Sequence, residues 1–161
     1  MASLVRQLES AVISALNTAL DGAARVQGFR ESVATGLVKT SDGDGRPEVL
    51  VSVNPPTAET YGVNKLEFDV NVQVRLEWAD DPTIAAFDET AAIVEDLLMR
   101  WNLNANIATV VAALSTDNFR CCGLRMNGGS DSASIGERSY ILSTFSFAVK
   151  GMYTETTGET T

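Results

Sequence analysis

The sequence predicts an α+β fold: a mainly antiparallel sheet with helices packed on one of its faces. Three observations predict it. Residues 66–78, LEFDVNVQVRLEW, put Leu66, Phe68, Val70, Val72, Val74, Leu76 and Trp78 on one side, and Glu67, Asp69, Asn71, Gln73, Arg75 and Glu77 on the other. Alternation without an error marks a strand with one face in a core. Two segments, one near the N-terminus and one over 84–101, instead repeat apolar residues at helical spacing. A second alternating run, RSYILSTFSFAVKGMY, closes the chain with Ile141, Phe145, Phe147, Val149 and Tyr153 sharing a face.

The elements follow in order. Ser3 is placed to cap a first helix whose apolar face carries Leu4, Leu8, Ala11, Val12, Ala15 and Ala19, with Gly22 as its stop. SVATGLVKT and EVLVSVN are strand-like runs separated by SDGDGRP, which reads as a hairpin tip. PPTAETYGVN connects to the long strand, which at about 3.3 Å per residue spans roughly 40 Å. In ADDPT, Asp81 caps the next helix and Pro82 suits its first turn. Its stripe runs Ile84, Phe87, Ala91, Val94, Leu97, Leu98 and Trp101. NLNANIATVVAALSTDN fits a short helix or a strand equally well by periodicity. FRCCGLRMN and the closing run are strands flanking a loop, GGSDSASIGE. The expected order is α-β-β-β-α-(α)-β-β, in one domain over residues 1–153 with a polar tail at 154–161.

Composition excludes more than it assigns. The chain of 161 residues is 45% hydrophobic and 20% charged, enough to bury a core and too apolar for disorder. The N-terminal stretch is amphipathic where a signal peptide would be continuously apolar, and no run is long enough to span a bilayer. The product is therefore expected in the cytoplasm of the cell that makes it, with no membrane partner. Its 12 basic against 21 acidic residues give a net charge of −9, the wrong sign for holding nucleic acid tightly. The absence of histidine removes Ser-His-Asp and Cys-His nucleophiles and the commonest zinc ligand.

Each remaining chemical candidate has a plainer alternative. Asp42 and Asp44 open like a calcium loop, but the sixth position is Pro47 where that loop needs glycine. The stretch from Asn127 to Arg138 is rich in Gly and Ser yet lacks a phosphate-binding lysine and opens a strand, not a helix. Gly128-Gly129-Ser130-Asp131-Ser132 ends in serine where a nucleophile elbow ends in glycine. Glu67, Asp69 and Glu77 share a strand face, with neighbours about 7 Å apart, as exposed acids in an acidic protein do by chance. The adjacent Cys121 and Cys122 should point to opposite faces of a strand, which prevents both from binding one metal. No catalytic residue, cofactor or metal is expected, and no enzymatic activity.

LEFDVNVQVRLEWADDPTIAAFDETAAIVEDLLMRWN, taken with RSYILSTFSFAVKGMY, resembles the tail terminator (tail-completion) proteins of long-tailed bacteriophages. The resemblance is one of element order and covers most of residues 3–153; related neck and tail-tube proteins share it. It implies a virion component at the head–tail junction: a ring, usually of six subunits, that ends tube polymerisation. Its implied partners are itself, the tail tube protein, the head–tail connector, and DNA passing through the lumen without specific binding. Under this reading Glu67, Asp69, Asn71, Gln73, Arg75 and Glu77 line the lumen or a subunit interface. Loops at 41–47, 55–64 and 127–137 meet partners through Asp42, Asp44, Arg46, Tyr61, Asn127, Ser130, Asp131 and Glu137. An acidic lumen would let DNA slide. A non-viral α+β binding module and a histidine-free hydrolase are the readings from other classes.

Overall fold

The computed structural model describes residues 3–28, 47–58, 65–78, 84–102, 107–134 and 139–154. The N-terminal helix, α1 (Leu4–Leu20), starts where Ser3 Oγ accepts the Arg6 N–H at 3.2 Å. It stops at Asp21 and Gly22, both at positive φ. Strands β1 (Arg25–Gly28), β2 (Glu48–Val53), the two-residue β3 (Thr57–Ala58) and β4 (Lys65–Trp78) follow. Helices α2 (Ile84–Asn102) and α3 (Ile107–Leu114) precede the long strands β5 (Phe119–Ser134) and β6 (Ser139–Tyr153). The sheet order is β1-β2-β4-β6-β5, with β3 paired to β4, and every pairing is antiparallel except β1 with β2.

The architecture is the expected α+β one, with the order of elements read from the sequence and one short added strand. A single core lies between the helices and one sheet face. From the helices come Leu8, Val12, Leu16 and Leu20 of α1, and Phe87, Val94, Leu98 and Trp101 of α2. From the sheet come Val49, Val51, Val53, Phe68, Val70, Val72, Val74, Phe147 and Val149. Two edge-on aromatic pairs cross this layer, Phe68 with Phe119 at 5.1 Å and Trp101 with Phe147 at 6.4 Å. On α1 the fully covered residues include Leu16 and Leu20 rather than Ala15 and Ala19, because the larger side chains reach the sheet.

β2 is flanked by β1 in parallel along Glu48–Val51 and by β4 along its whole length. The expected strand SVATGLVKT and residues 41–46 of the SDGDGRP tip lie outside the described residues, as do Asp81 and Pro82 before α2. The segment with undecided periodicity contains the helix α3. Finally, GGSDSASIGE is not a loop through most of its length: β5 continues to Ser134, paired with β6 from Gly128↔Ser146 to Ser134↔Tyr140. Its Gly- and Ser-rich composition lacks alternation because Asn127–Ala133 is exposed on both faces. Backbone pairing with β6, rather than burial, holds it as a strand.

β5 also carries two register shifts, between Cys121 and Gly123 and between Met126 and Gly128. Each inserts one residue and so reverses which face later side chains take. The first shift lets Phe119, Cys121, Leu124 and Met126 all belong to the core layer although their spacing is not strictly two. Cys122 is the inserted residue and is exposed, while Cys121 is buried. Burial pushes the Cys121 thiol up from 9.0 to about 11, which disfavours the thiolate needed for nucleophilic or redox chemistry.

The two ends of the chain meet in a buried polar knot. Gln7 of α1 donates to Asn118 Oδ1 (3.2 Å) and accepts from Thr116 Oγ1 (2.7 Å), while Asn118 and Thr154 bond through side chain and backbone. Asn118 is only 2% exposed, so these partners replace the water it loses.

Two predictions follow from the packing of this layer. At Gly151 an added Cβ would collide with the Arg120 carbonyl and the Phe119 ring, whereas at Gly28 it would meet the movable end of Glu9. Gly151→Ala should therefore cost about 1–3 kcal/mol and more than Gly28→Ala, as read by urea denaturation. For Cys121, the folded-state pKa is raised, so its contribution to stability is complete below the unfolded value of 9.0 and is lost as pH rises through about 11. Wild type should lose more stability than Cys121→Ser across that window, and maleimide should label Cys122 in the native protein but Cys121 only on unfolding.

Candidate assembly surface

The helices cover one face of the sheet; the outer face is exposed at Lys65, Asp69, Arg120 and Arg125 and buried at Glu48, Leu50 and Ala148. Register places on this outer face the odd residues of β4 from Lys65 to Glu77, the even residues of β6 from Tyr140 to Met152, and Arg120 and Arg125 of β5. β2 and β1 add Glu48, Leu50, Ser52, Arg25 and Gln27. Five of the expected lumen or interface residues are thus brought together with their side chains described: Glu67, Asp69, Asn71, Gln73 and Arg75. The backbone of Glu77 pairs with Tyr140, but its side chain lies outside what is described.

These residues form two regions. At one end Arg75 sits over the Tyr140 ring at 5.3 Å, beside an ion pair of 3.0 Å between Arg25 and the buried Glu48. Ser146 Oγ donates to Asn71 Oδ1 at 2.6 Å near the middle. At the other end three neighbouring cross-strand rows hold Lys65–Met152–Arg120, Glu67–Lys150–Gly123 and Asp69–Ala148–Arg125. Arg125 reaches Glu67 Oε1 at 3.5 Å and also donates to Asn127 Oδ1 at 3.2 Å.

The charge of this face differs from the strand's own. Read on residues 67–77 alone, three acids stand against Arg75 and the face is acidic. In the folded sheet Arg25, Lys65, Arg120, Arg125 and Lys150 join it, against Glu48 as the added described acid. The end built around Lys65, Arg120, Arg125 and Lys150 is basic. Alternation could have placed Lys150 there, but it separates Arg120 from Arg125, which are five residues apart. Only the bulge between Cys121 and Gly123 puts both on one face. Glu67 stands in an ion pair rather than as half of an acid–base couple, and Asp69 is exposed.

Beyond Met126 the exposed arm of β5 continues as an edge strand on β6, which itself stays paired with β4 as far as Trp78. A groove of about 380 Å³ opens where this arm passes α2, with Met99, Met126 and Phe145 as its apolar floor and Glu95, Ser130 and Asp131 at its margin. Ser143 Oγ donates to Asp131 across the arm. Asn127, Ser130 and Asp131 therefore lie on a strand near this groove, not on a loop. Asp42, Asp44, Arg46, Tyr61 and Glu137 lie outside the described residues. Among the described residues no helix is long and apolar enough to cross a membrane.

No family model matches the sequence, and no curated protein does. Among solved structures the fold is similar to that of a chain from the "Virion of native gene transfer agent (GTA) particle". The superposition has a TM-score of 0.54 at 15% identity and covers 94% of this chain and 99% of the other.

Proposed function

We propose that this protein is a structural component of a phage-type virion, and more narrowly a tail terminator. It forms a ring, of six subunits in the related proteins it resembles, at the head-proximal end of a tail tube, where it ends tube polymerisation and receives the head connector. The observation that carries the proposal is the likeness in fold to a chain of a gene transfer agent virion, with almost all of both chains covered. The element order of the sequence points the same way independently.

The physical features are those of an assembly part rather than a catalyst. The outer sheet face carries a polar and charged array, and an apolar groove lies where the exposed edge strand β5 passes α2. On that face Arg25 pairs with Glu48 and Arg125 with Glu67, and Arg75 sits over the Tyr140 ring. The protein performs no reaction: its partners are other copies of itself, the tube protein and the connector. DNA passes through without sequence reading. A head-to-tail contact that closes on itself stops growth, as a terminator must.

The test is assembly. Purified protein should run as a discrete oligomer in size-exclusion chromatography with light scattering and show rings by negative-stain microscopy. Added to polymerising tube protein, it should shorten the tubes and sit at one end. A strict monomer that leaves tube length unchanged would reject the terminator reading.

A further inference from the structure

Among the described residues, exposed charge differs in sign between one end of the outer sheet face and α2. The outer sheet face gathers Lys65, Arg120, Arg125 and Lys150 into three adjacent rows, with only Glu67 and Asp69 among them. The opposite side is the helical layer, and there the sign reverses. On α2, Asp88, Glu89, Glu95 and Asp96 are all exposed, against Arg100, which is paired to Asp96. The exposed residues of α1 are instead uncharged: Ser10, Ser14, Asn17 and Thr18. The acidic stripe thus belongs to α2 in particular, and its other exposed positions are Ile84, Ala85, Ala92, Met99 and Asn102, all but the last apolar.

We infer that the basic end of the outer sheet face docks onto the exposed face of α2 of a second copy of this chain. Charge complementarity names the occupant. In a protein of net charge −9, two copies repel unless they meet through surfaces of opposite sign, and this molecule offers one of each. The two surfaces lie on opposite sides of a two-layer fold. A contact joining them is heterologous, leaves one free surface of each kind on every growing oligomer, and closes only as a ring. The alanines of the α2 stripe allow close approach, and Met99 adds apolar area to cover. The inference rests on the ring reading and deepens it by naming the two faces that join.

Charge reversal followed by exchange tests it on the full chain. Lys65→Glu with Arg120→Glu should weaken self-association about tenfold or more. Glu89→Lys with Glu95→Lys should do the same, with far-UV circular dichroism unchanged in both. In an equimolar mixture of the two reversed proteins every contact of an alternating ring pairs opposite charges, so mixing should restore oligomers. The chain carrying all four substitutions should likewise recover the wild-type oligomer by light scattering. Wild-type assembly should also weaken as salt is raised from about 0.05 to 0.5 M. Rings that persist in either reversed variant would overturn the inference and leave the terminator reading standing; failure of the fourfold variant to recover would overturn it as well. Loss of binding to a short duplex DNA in Lys65→Glu/Arg120→Glu, with assembly intact, would assign the basic end to a polyanion instead. A wild-type protein that is monomeric and inert towards tubes would remove both.

Discussion

The ladder between β4 and β6 is the constraint on which the rest of the fold depends. It pairs Lys65 with Met152 and runs without a shift to Trp78 with Ser139. Because side chains alternate strictly, one residue of slippage would turn Phe68, Val70, Val72, Val74, Phe147 and Val149 out of the core together. Burying all of them is far more favourable than any slipped alternative, so the register of the two central strands is fixed by hydrophobic burial alone. β2 then adds to β4, and β5 to β6. The helices have only one face to cover.

That same ladder explains what could be read from the sequence. β4 and β6 are legible because a one-sided strand repeats with period two, and α1 and α2 because a one-sided helix repeats with period 3.6. Segments whose burial is not one-sided are not legible in this way. β2 is buried at most positions on both faces, Glu48 and Leu50 on the outer one as well as Val49 and Val51 in the core. Its apolar run therefore carries no clue to its neighbours, and the parallel pairing with β1 was hidden. The arm of β5 is the opposite case. It is exposed on both faces, and a strand held only by its backbone looks like a loop in sequence.

The assembly surface was legible only in part for a related reason. Its polar strand face followed from alternation, and Asn71, Gln73 and Arg75 do lie together with Glu67 and Asp69. Its charge did not follow, because charge on a sheet face is a sum over strands that are remote in sequence. Glu67 meets Arg125, which is distant along the chain but adjacent in space. The parity of that meeting depends on a single inserted residue, Cys122. The cysteine pair thus matters through geometry: one thiol fills the core, and the other occupies the bulge that turns Arg125 to the same side as Arg120.

Net charge does not fix the sign of a single face: among the described residues one end of the sheet gathers Lys65, Arg120, Arg125 and Lys150, while α2 exposes Asp88, Glu89, Glu95 and Asp96. Most of these charges are exposed, Lys150 being half-buried, and pairs at such a surface contribute little to folding. Mutual burial changes their weight. When opposite charges on two copies exclude water between them, the wrong pairing brings like charges together in a medium of low dielectric, at a cost of several kcal/mol. The right one is then selected chiefly by what the others cost. Sorting charge between two faces therefore specifies orientation more than strength. For a part that must add head to tail and stop on closure, orientation is the property that decides between a ring and an aggregate.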